Sequence, residues 1–287
     1  MSGKLAGKVG LITGGTRGLG LGITEIFLKQ GAKVAMLGRD RSRGEEAVKL
    51  AQAWGPEGDA IFVQADLCDA KAVECAVEET VSRFGALHLL VNNAAPTRLH
   101  GDNAVNLSLD IWNDYLAQGT TSAFLTAKYA IPHMQKAGYG SIVNISSNAA
   151  VRAIRNGVGY MTCKAALHGL TLSLAIDFGP IVRCNELIIG HLHHNDHPLY
   201  QFMESDPETK AAIDNNYMVG RWGTPQDLGN ACAFLCSEES GFVTAESMHL
   251  DGGSQREIRF PDMRRAATFM REVHAKEEEE RARLSQR

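Results

Sequence analysis

KVGLITGGTRGLGLGITEIFLKQG, residues Lys8–Gly31, is the stretch from which the fold is read. Lys8–Thr13 has the apolar run of a short buried strand, and Gly14–Gly20 is a glycine-rich turn. Ile23, Ile26, Phe27 and Leu28 then recur at helical spacing as far as Gly31. Strand, glycine turn and helix in that order form the layout of a nucleotide-phosphate site. Glycines admit the backbone to a pyrophosphate, and the helix start offers free N–H groups at the positive end of its dipole. The spacing is Thr-Gly-x-x-x-Gly-x-Gly, not Gly-x-Gly-x-x-Gly. A tight turn without a ligand would use the same glycines; the strand–turn–helix context favours the ligand.

Working outward, the same alternation repeats. Strands are expected at Lys33–Leu37, Ala60–Gln64, Leu87–Val91, Ser141–Ile145, Val182–Ile189 and Ser247–Leu250. Helices are expected over 41–54, 70–84, Leu109–Ala137, Gly159–Phe178 and 225–237, with Asp69 as an N-cap. Strands alternating with helices predict an α/β protein: a single-domain, doubly wound Rossmann-like fold with a seven-stranded, mostly parallel sheet and helices on both faces. The domain is expected over 1–253, with an irregular part at 190–220. Residues 254–287 form a charged C-terminal extension, with an apolar stripe at Phe269, Met270 and Val273.

Composition narrows the function. The 287 residues are 44% hydrophobic and 22% charged, ordinary for a globular chain with a real core. A net charge of −4 and a pI of about 6.2 argue against nucleic acid or an anionic membrane as partner. No apolar run approaches the ~20 residues that span a bilayer, and Met1–Lys8 lacks a signal-peptide core. The six cysteines are scattered and form no Cys-x-x-Cys, although Cys232 and Cys236 share a helix face; free thiols in the cytoplasm are expected.

The second strand ends in Gly38-Arg39-Asp40, where an adenosine ribose would lie. An acid there bonds a free 2′-hydroxyl, whereas an arginine pairs with a 2′-phosphate. Arg39 and the loop residue Arg17 favour the phosphate; Asp40 is the competing acid if the strand runs on. Asp66, after the third strand, is placed to meet an adenine amino group. Asn92-Asn93-Ala94-Ala95 could pin strands together, line the cleft, or only make a turn.

Tyr160 and Lys164 stand one turn apart on one helix face, with Ser147 upstream. A lysine ammonium beside a phenol favours phenolate, which suits acid–base work, and the serine hydroxyl could hold a substrate oxygen. A surface Tyr–Lys pair would have the same spacing.

Together these residues resemble the short-chain dehydrogenase/reductase family over residues 5–253. Thr13-Gly14, Gly18 and Gly20 match its glycine motif, Asp66 its adenine contact and Asn92-Asn93-Ala94 its NNAG motif, with Ala95 for the glycine. Ser147, Tyr160 and Lys164 match its catalytic residues. The resemblance implies hydride transfer between NADP(H) and a small carbonyl or alcohol substrate, in a homodimer or homotetramer. It implies cofactor contacts from Gly14, Thr16, Arg17, Gly18, Leu19, Gly20, Arg39, Asp66, Leu67, Asn93, Ala94, Tyr160, Lys164 and Gly190. Ser147, His194 and Tyr200 are the expected substrate contacts.

Three positions depart from the pattern. The family's fourth catalytic residue, an asparagine seven residues after a tryptophan, falls on Gly119. That leaves its water-borne proton relay to Gln118, Thr120 or an extra water. Ile189-Gly190 replaces Pro-Gly, and His194 replaces a threonine that bonds the carboxamide. The departures motivate an alternative, a divergent NADP(H)-binding protein with an isomerase, cyclase or regulatory role. His191, His193, His194, Asp196 and His197 are dense enough to suggest metal ligands, but the implied chemistry needs no metal. A histidine touching substrate or cofactor is expected instead, under a lid walled by Tyr200, Phe202, Met203, Tyr217, Met218 and Trp222.

Overall fold

A computed structural model describes residues 3–96, 103–193, 201, 203, 205–255, 271 and 275–276. The chain divides into two compact units, Met1–Ser254 and Gln255–Arg287. In the second, Arg271, Ala275 and Lys276 are helical; Phe269, Met270 and Val273 lie outside the described residues.

The first unit carries strands β1 (Val9–Thr13), β2 (Lys33–Gly38), β3 (Ala60–Gln64), β4 (Leu89–Asn92), β5 (Gly140–Ser147), β6 (Val182–Ile189) and β7 (Ser247–Leu250). The helices between them are α1 (Gly18–Lys29), α2 (Arg41–Ala51), α3 (Ala70–Phe84), α4 (Leu109–Leu116), α5 (Ser122–Ala137), α6 (Val158–Phe178), α7 (Pro207–Asp214) and α8 (Pro225–Cys236). The seven strands form one sheet in the order β3-β2-β1-β4-β5-β6-β7, and every neighbouring pair is parallel. The order reverses between β1 and β4, so the crevice above those two strand ends is where a parallel sheet receives a ligand.

Both faces of the sheet are covered, which is why its central strands are near-continuous apolar runs. Consecutive strand residues enter opposite cores. Ile12, Met36, Val91, Ile145 and Leu187 pack with Ile23 and Phe27 of α1 and Leu228 and Leu235 of α8. Leu11, Leu37, Leu90, Ile142 and Cys184 pack with Val77 of α3, Ala127 and Ile131 of α5 and Leu174 of α6. No described helix is long and apolar enough to cross a membrane.

Local chemistry sets the helix starts. Asp69 accepts from the Lys71 and Ala72 N–H groups at the head of α3. Thr224 and Asp227 form a reciprocal capping box on α8. Asp40 caps α2 by accepting from Arg43 N–H at 3.1 Å. The helix expected over Leu109–Ala137 is interrupted: Ala117–Thr121 is a π-helical turn joining α4 to α5. The fourth ladder starts at Leu89 rather than Leu87, because His88 Nδ1 accepts the Val9 N–H at 3.0 Å.

Candidate active site

The glycine turn closes on itself and on β4. Gly14 has φ 64°, and a β-carbon on Gly20 would overlap the Gly14 carbonyl oxygen, so no larger residue fits that approach. Arg17 occupies the N-cap of α1 in extended conformation and supplies no side-chain cap; the first turn holds no acid. The free N–H groups of that turn, at the positive end of the helix, fit the pyrophosphate of a dinucleotide. Asn93 holds the opposite wall. Its N–H donates to Thr13 Oγ1 at 2.9 Å and its Nδ2 to Thr13 O at 3.0 Å; Ala94 N–H also donates to Thr13 Oγ1, at 3.0 Å. The asparagine therefore pins β1 to β4 at the mouth of the crevice. Thr13, expected only as part of the glycine motif, takes this pinning role through a hydroxyl that ends an apolar strand before the glycine turn.

At the end of β2, Thr16 lies in van der Waals range of a side chain at Gly38. Asp40 is engaged twice, by its cap and by Arg43 Nε at 3.4 Å. Arg17 and Arg39 are exposed and make no ion pair among the described residues. Gln64 Nε2 donates to the Arg39 carbonyl at 2.9 Å, fixing the backbone there. Asp66 is exposed after β3, its Oδ1 accepting from Cys68 N–H, and Leu67 is half-buried beside it.

Ser147 ends β5 in register with Ile189, and its Oγ accepts from Ala149 N–H at 3.2 Å. Lys164 is 2% exposed. Its Nζ donates to the Ile145 carbonyl at 2.7 Å, and its own carbonyl accepts from Ser146 Oγ at 3.2 Å. The lysine is thus tied at both ends to the strand segment that presents Ser147. Burial pulls the ammonium down to about 8, against a smaller upward push from Cys163 and Glu186. Tyr160 is half-buried one turn earlier on the same helix. Gly190 follows β6: its N–H donates to Leu250 O at 3.0 Å, and a β-carbon there would lie 3.0 Å from Asp251 Cα.

Gly119 lies in the π turn against α6. Of the groups considered for its place, Gln118 Nε2 donates to Asp114 at 2.7 Å, and Thr120 Oγ1 donates to the Cys163 carbonyl at 2.9 Å. Only Thr120 is tied to the helix that carries Lys164. Tyr217 and Trp222, expected in the lid, are buried against the body, while Met218 is exposed. His194, Asp196, His197 and Tyr200 lie outside the described residues. Beneath the site, a buried network spans two strands and two helices. Asn92 Nδ2 donates to Asn144 Oδ1 at 2.9 Å, Thr126 Oγ1 to Asn92 Oδ1 at 2.6 Å, and Asn144 Nδ2 to Thr171 Oγ1 at 2.9 Å.

Comparisons with known proteins agree with this geometry. A family profile described as Enoyl-(Acyl carrier protein) reductase matches residues 14–255. The chain is 33% identical over 254 residues to the 2,5-dichloro-2,5-cyclohexadiene-1,4-diol dehydrogenase LinX of Sphingobium indicum, covering 88% of this chain and 98% of the relative. It is 32% identical over 257 residues to the 3-oxoacyl-[acyl-carrier-protein] reductase FabG of Chlamydia pneumoniae, covering 87% and 97%. A short-chain type dehydrogenase/reductase structure from Mycobacterium ulcerans superposes with a TM-score of 0.81 at 26% identity, over 90% of this chain and 93% of that one. A chain with this glycine cradle, pinned crevice and buried lysine, and of matching fold and length, thus belongs to the short-chain dehydrogenase/reductase family of nicotinamide-dependent oxidoreductases.

Proposed function

We propose that this protein is an NADPH-dependent reductase of a small carbonyl compound, reversible as an alcohol dehydrogenase. The observation that carries the chemistry is Lys164. It is buried, held by the Ile145 carbonyl two residues before Ser147, and set one helical turn from Tyr160. Bound NADPH would supply the hydride. Tyr160 donates the proton to the carbonyl oxygen, Ser147 holds that oxygen by its hydroxyl, and Lys164 supplies the positive field that favours the phenolate left behind. Lys164 would also hold the nicotinamide ribose of a bound cofactor, as the family resemblance implies. The preference for NADP(H) is supported by Asp40, whose carboxylate is taken up by the α2 cap and Arg43, while Arg17 and Arg39 remain to meet a 2′-phosphate.

LinX is named as a dehydrogenase and FabG as a reductase, so relatives are named for both directions. Exposed Phe124, Leu172 and Ile176 on α5 and α6 support a homodimer or homotetramer. Six free cysteines fit a cytoplasmic setting, and the acidic net charge fits a small-molecule substrate with no nucleic acid or membrane partner.

Fluorescence titration with NADPH and NADH, then a ketone panel followed at the nicotinamide absorbance, tests this function. NADPH should bind about tenfold tighter or more, with turnover. Preference for NADH would contradict the roles of Arg17 and Arg39. Tight NADPH binding without turnover would favour the isomerase, cyclase or regulatory alternative, which Gly119 motivates.

A further inference from the structure

One cluster, centred on a buried carboxylate, has no part in the scheme above. Glu186, in β6, is 1% exposed. Its Oε2 accepts from Ser247 Oγ at 2.6 Å and meets His168 Nδ1 at 3.2 Å, while its Oε1 has no hydrogen-bond partner. A buried carboxylate held through one oxygen is costly unless an opposite charge faces it.

Two basic groups of α6 face it: His168, in contact at 3.2 Å, and Lys164. Lys164 and His168 stand one turn apart on α6, on one face. That face lies over β5 and β6: Lys164 bonds Ile145 and Ser146, Thr171 bonds Asn144, and Asn144 is the register partner of Glu186. Helix face and strand register together set Glu186 beneath the turn between Lys164 and His168. The two buried charges make no direct hydrogen bond, and the one acceptor of Lys164 Nζ is a neutral carbonyl.

We propose that Glu186 is a positioning residue for Lys164: a buried counter-charge, anchored by Ser247 and His168, that favours the ammonium form of the lysine. The proposal rests on the role given above to Lys164 and deepens it. Burial lowers the lysine, and Cys163 and Glu186 push it back up. The other titratable groups facing this cluster are His168 and Cys163 of α6, Cys184 of β6 and His249 two residues along β7 from Ser247. Burial pushes the Cys163 thiol up to about 11 and the Cys184 thiol up to about 12, so neither is an anion at neutral pH.

The test is a ¹³C NMR titration of the full chain labelled at lysine, with the Lys164 signal assigned by its loss in Lys164→Arg. The signal should titrate near 8 in the natural chain. In Glu186→Gln the midpoint should fall by about half a pH unit or more. Glu186→Asp, which keeps the charge, should recover much of that shift. An unchanged or higher midpoint in Glu186→Gln overturns the proposal. If glutamine does not pack, Glu186→Ala reads the same way, because Ser247 Oγ and His168 Nδ1 already meet at 2.9 Å and keep each other as partners. The titration needs no turnover, so it stands apart from the reductase assignment, which fails if Tyr160→Phe stays active. In active enzyme the basic limb of kcat/KM should move down with the same sign; an equal loss at every pH would mark a merely structural role.

Discussion

Gly119 and Cys163 compete for one volume: a β-carbon on Gly119 would lie 2.6 Å from Cys163 Sγ and 2.9 Å from its Cβ. A side chain at the position where the family carries an asparagine therefore has to displace this cysteine. The thiol is fully buried and donates to the Tyr160 carbonyl at 3.2 Å, so it packs within the turn that presents the tyrosine.

Gly119→Ala should accordingly destabilise the protein by about 1–3 kcal/mol, the usual cost of overpacking a tight core. Gly119→Asn should cost more and lower kcat rather than raise it. Cys163→Ala removes the closer of the two contacts, so the pair Gly119→Ala/Cys163→Ala should lose less than the sum of its parts. Denaturant unfolding of the four chains measures that coupling; strict additivity would show that the two residues do not share the space.

Cofactor preference should follow the arginines. Arg39→Ala should weaken NADPH binding about tenfold while leaving NADH nearly unchanged, and adding Arg17→Ala should extend the loss towards a hundredfold. Asp40→Asn should affect α2 more than the choice of cofactor, because its carboxylate caps that helix. Equilibrium titration with both nucleotides checks the ranking.

Lys164 also predicts a stability profile. Its folded value of about 8 lies below the ordinary 10.5. Between those values the unfolded chain binds more protons than the folded one, so this group makes stability rise with pH across that window. Lys164→Met removes the slope. Relative to that variant, the natural chain should gain up to about 3 kcal/mol between pH 8 and 10.5, measured by denaturant unfolding.

Thr126→Val keeps the side-chain shape but removes the hydroxyl that donates to Asn92 Oδ1 at 2.6 Å within a buried network. Loss of that donor should cost about 1–3 kcal/mol, visible as a lower denaturation midpoint. No loss would mean that Asn92 finds another partner.

Much of this was legible in the chain itself. The parallel sheet follows from apolar runs such as Val9–Thr13 and Lys33–Gly38, which make sense only between two layers of helices. The glycine turn and the Tyr160–Lys164 spacing are local patterns, readable without tertiary structure. Asp40 was ambiguous because ribose acid and helix cap use the same residue type at the same place; the structure shows its carboxylate on the α2 cap and Arg43. The π turn at Ala117–Thr121 has no local signal in Ala-Gln-Gly-Thr-Thr. The Glu186 cluster was hidden for a different reason. An acid inside an otherwise buried strand stands out, but its partners His168 and Ser247 are 18 and 61 residues away, and only strand register brings them to it.

The most direct test of the central claim is steady-state and binding analysis of Tyr160→Phe, which removes one hydroxyl and leaves the helix and Lys164 in place. Turnover of any ketone reduced by the natural chain should fall by at least about 10²–10⁴-fold, while the Kd for NADPH changes little. Full activity in that variant would contradict proton donation by Tyr160 and, with it, the mechanism proposed for this site.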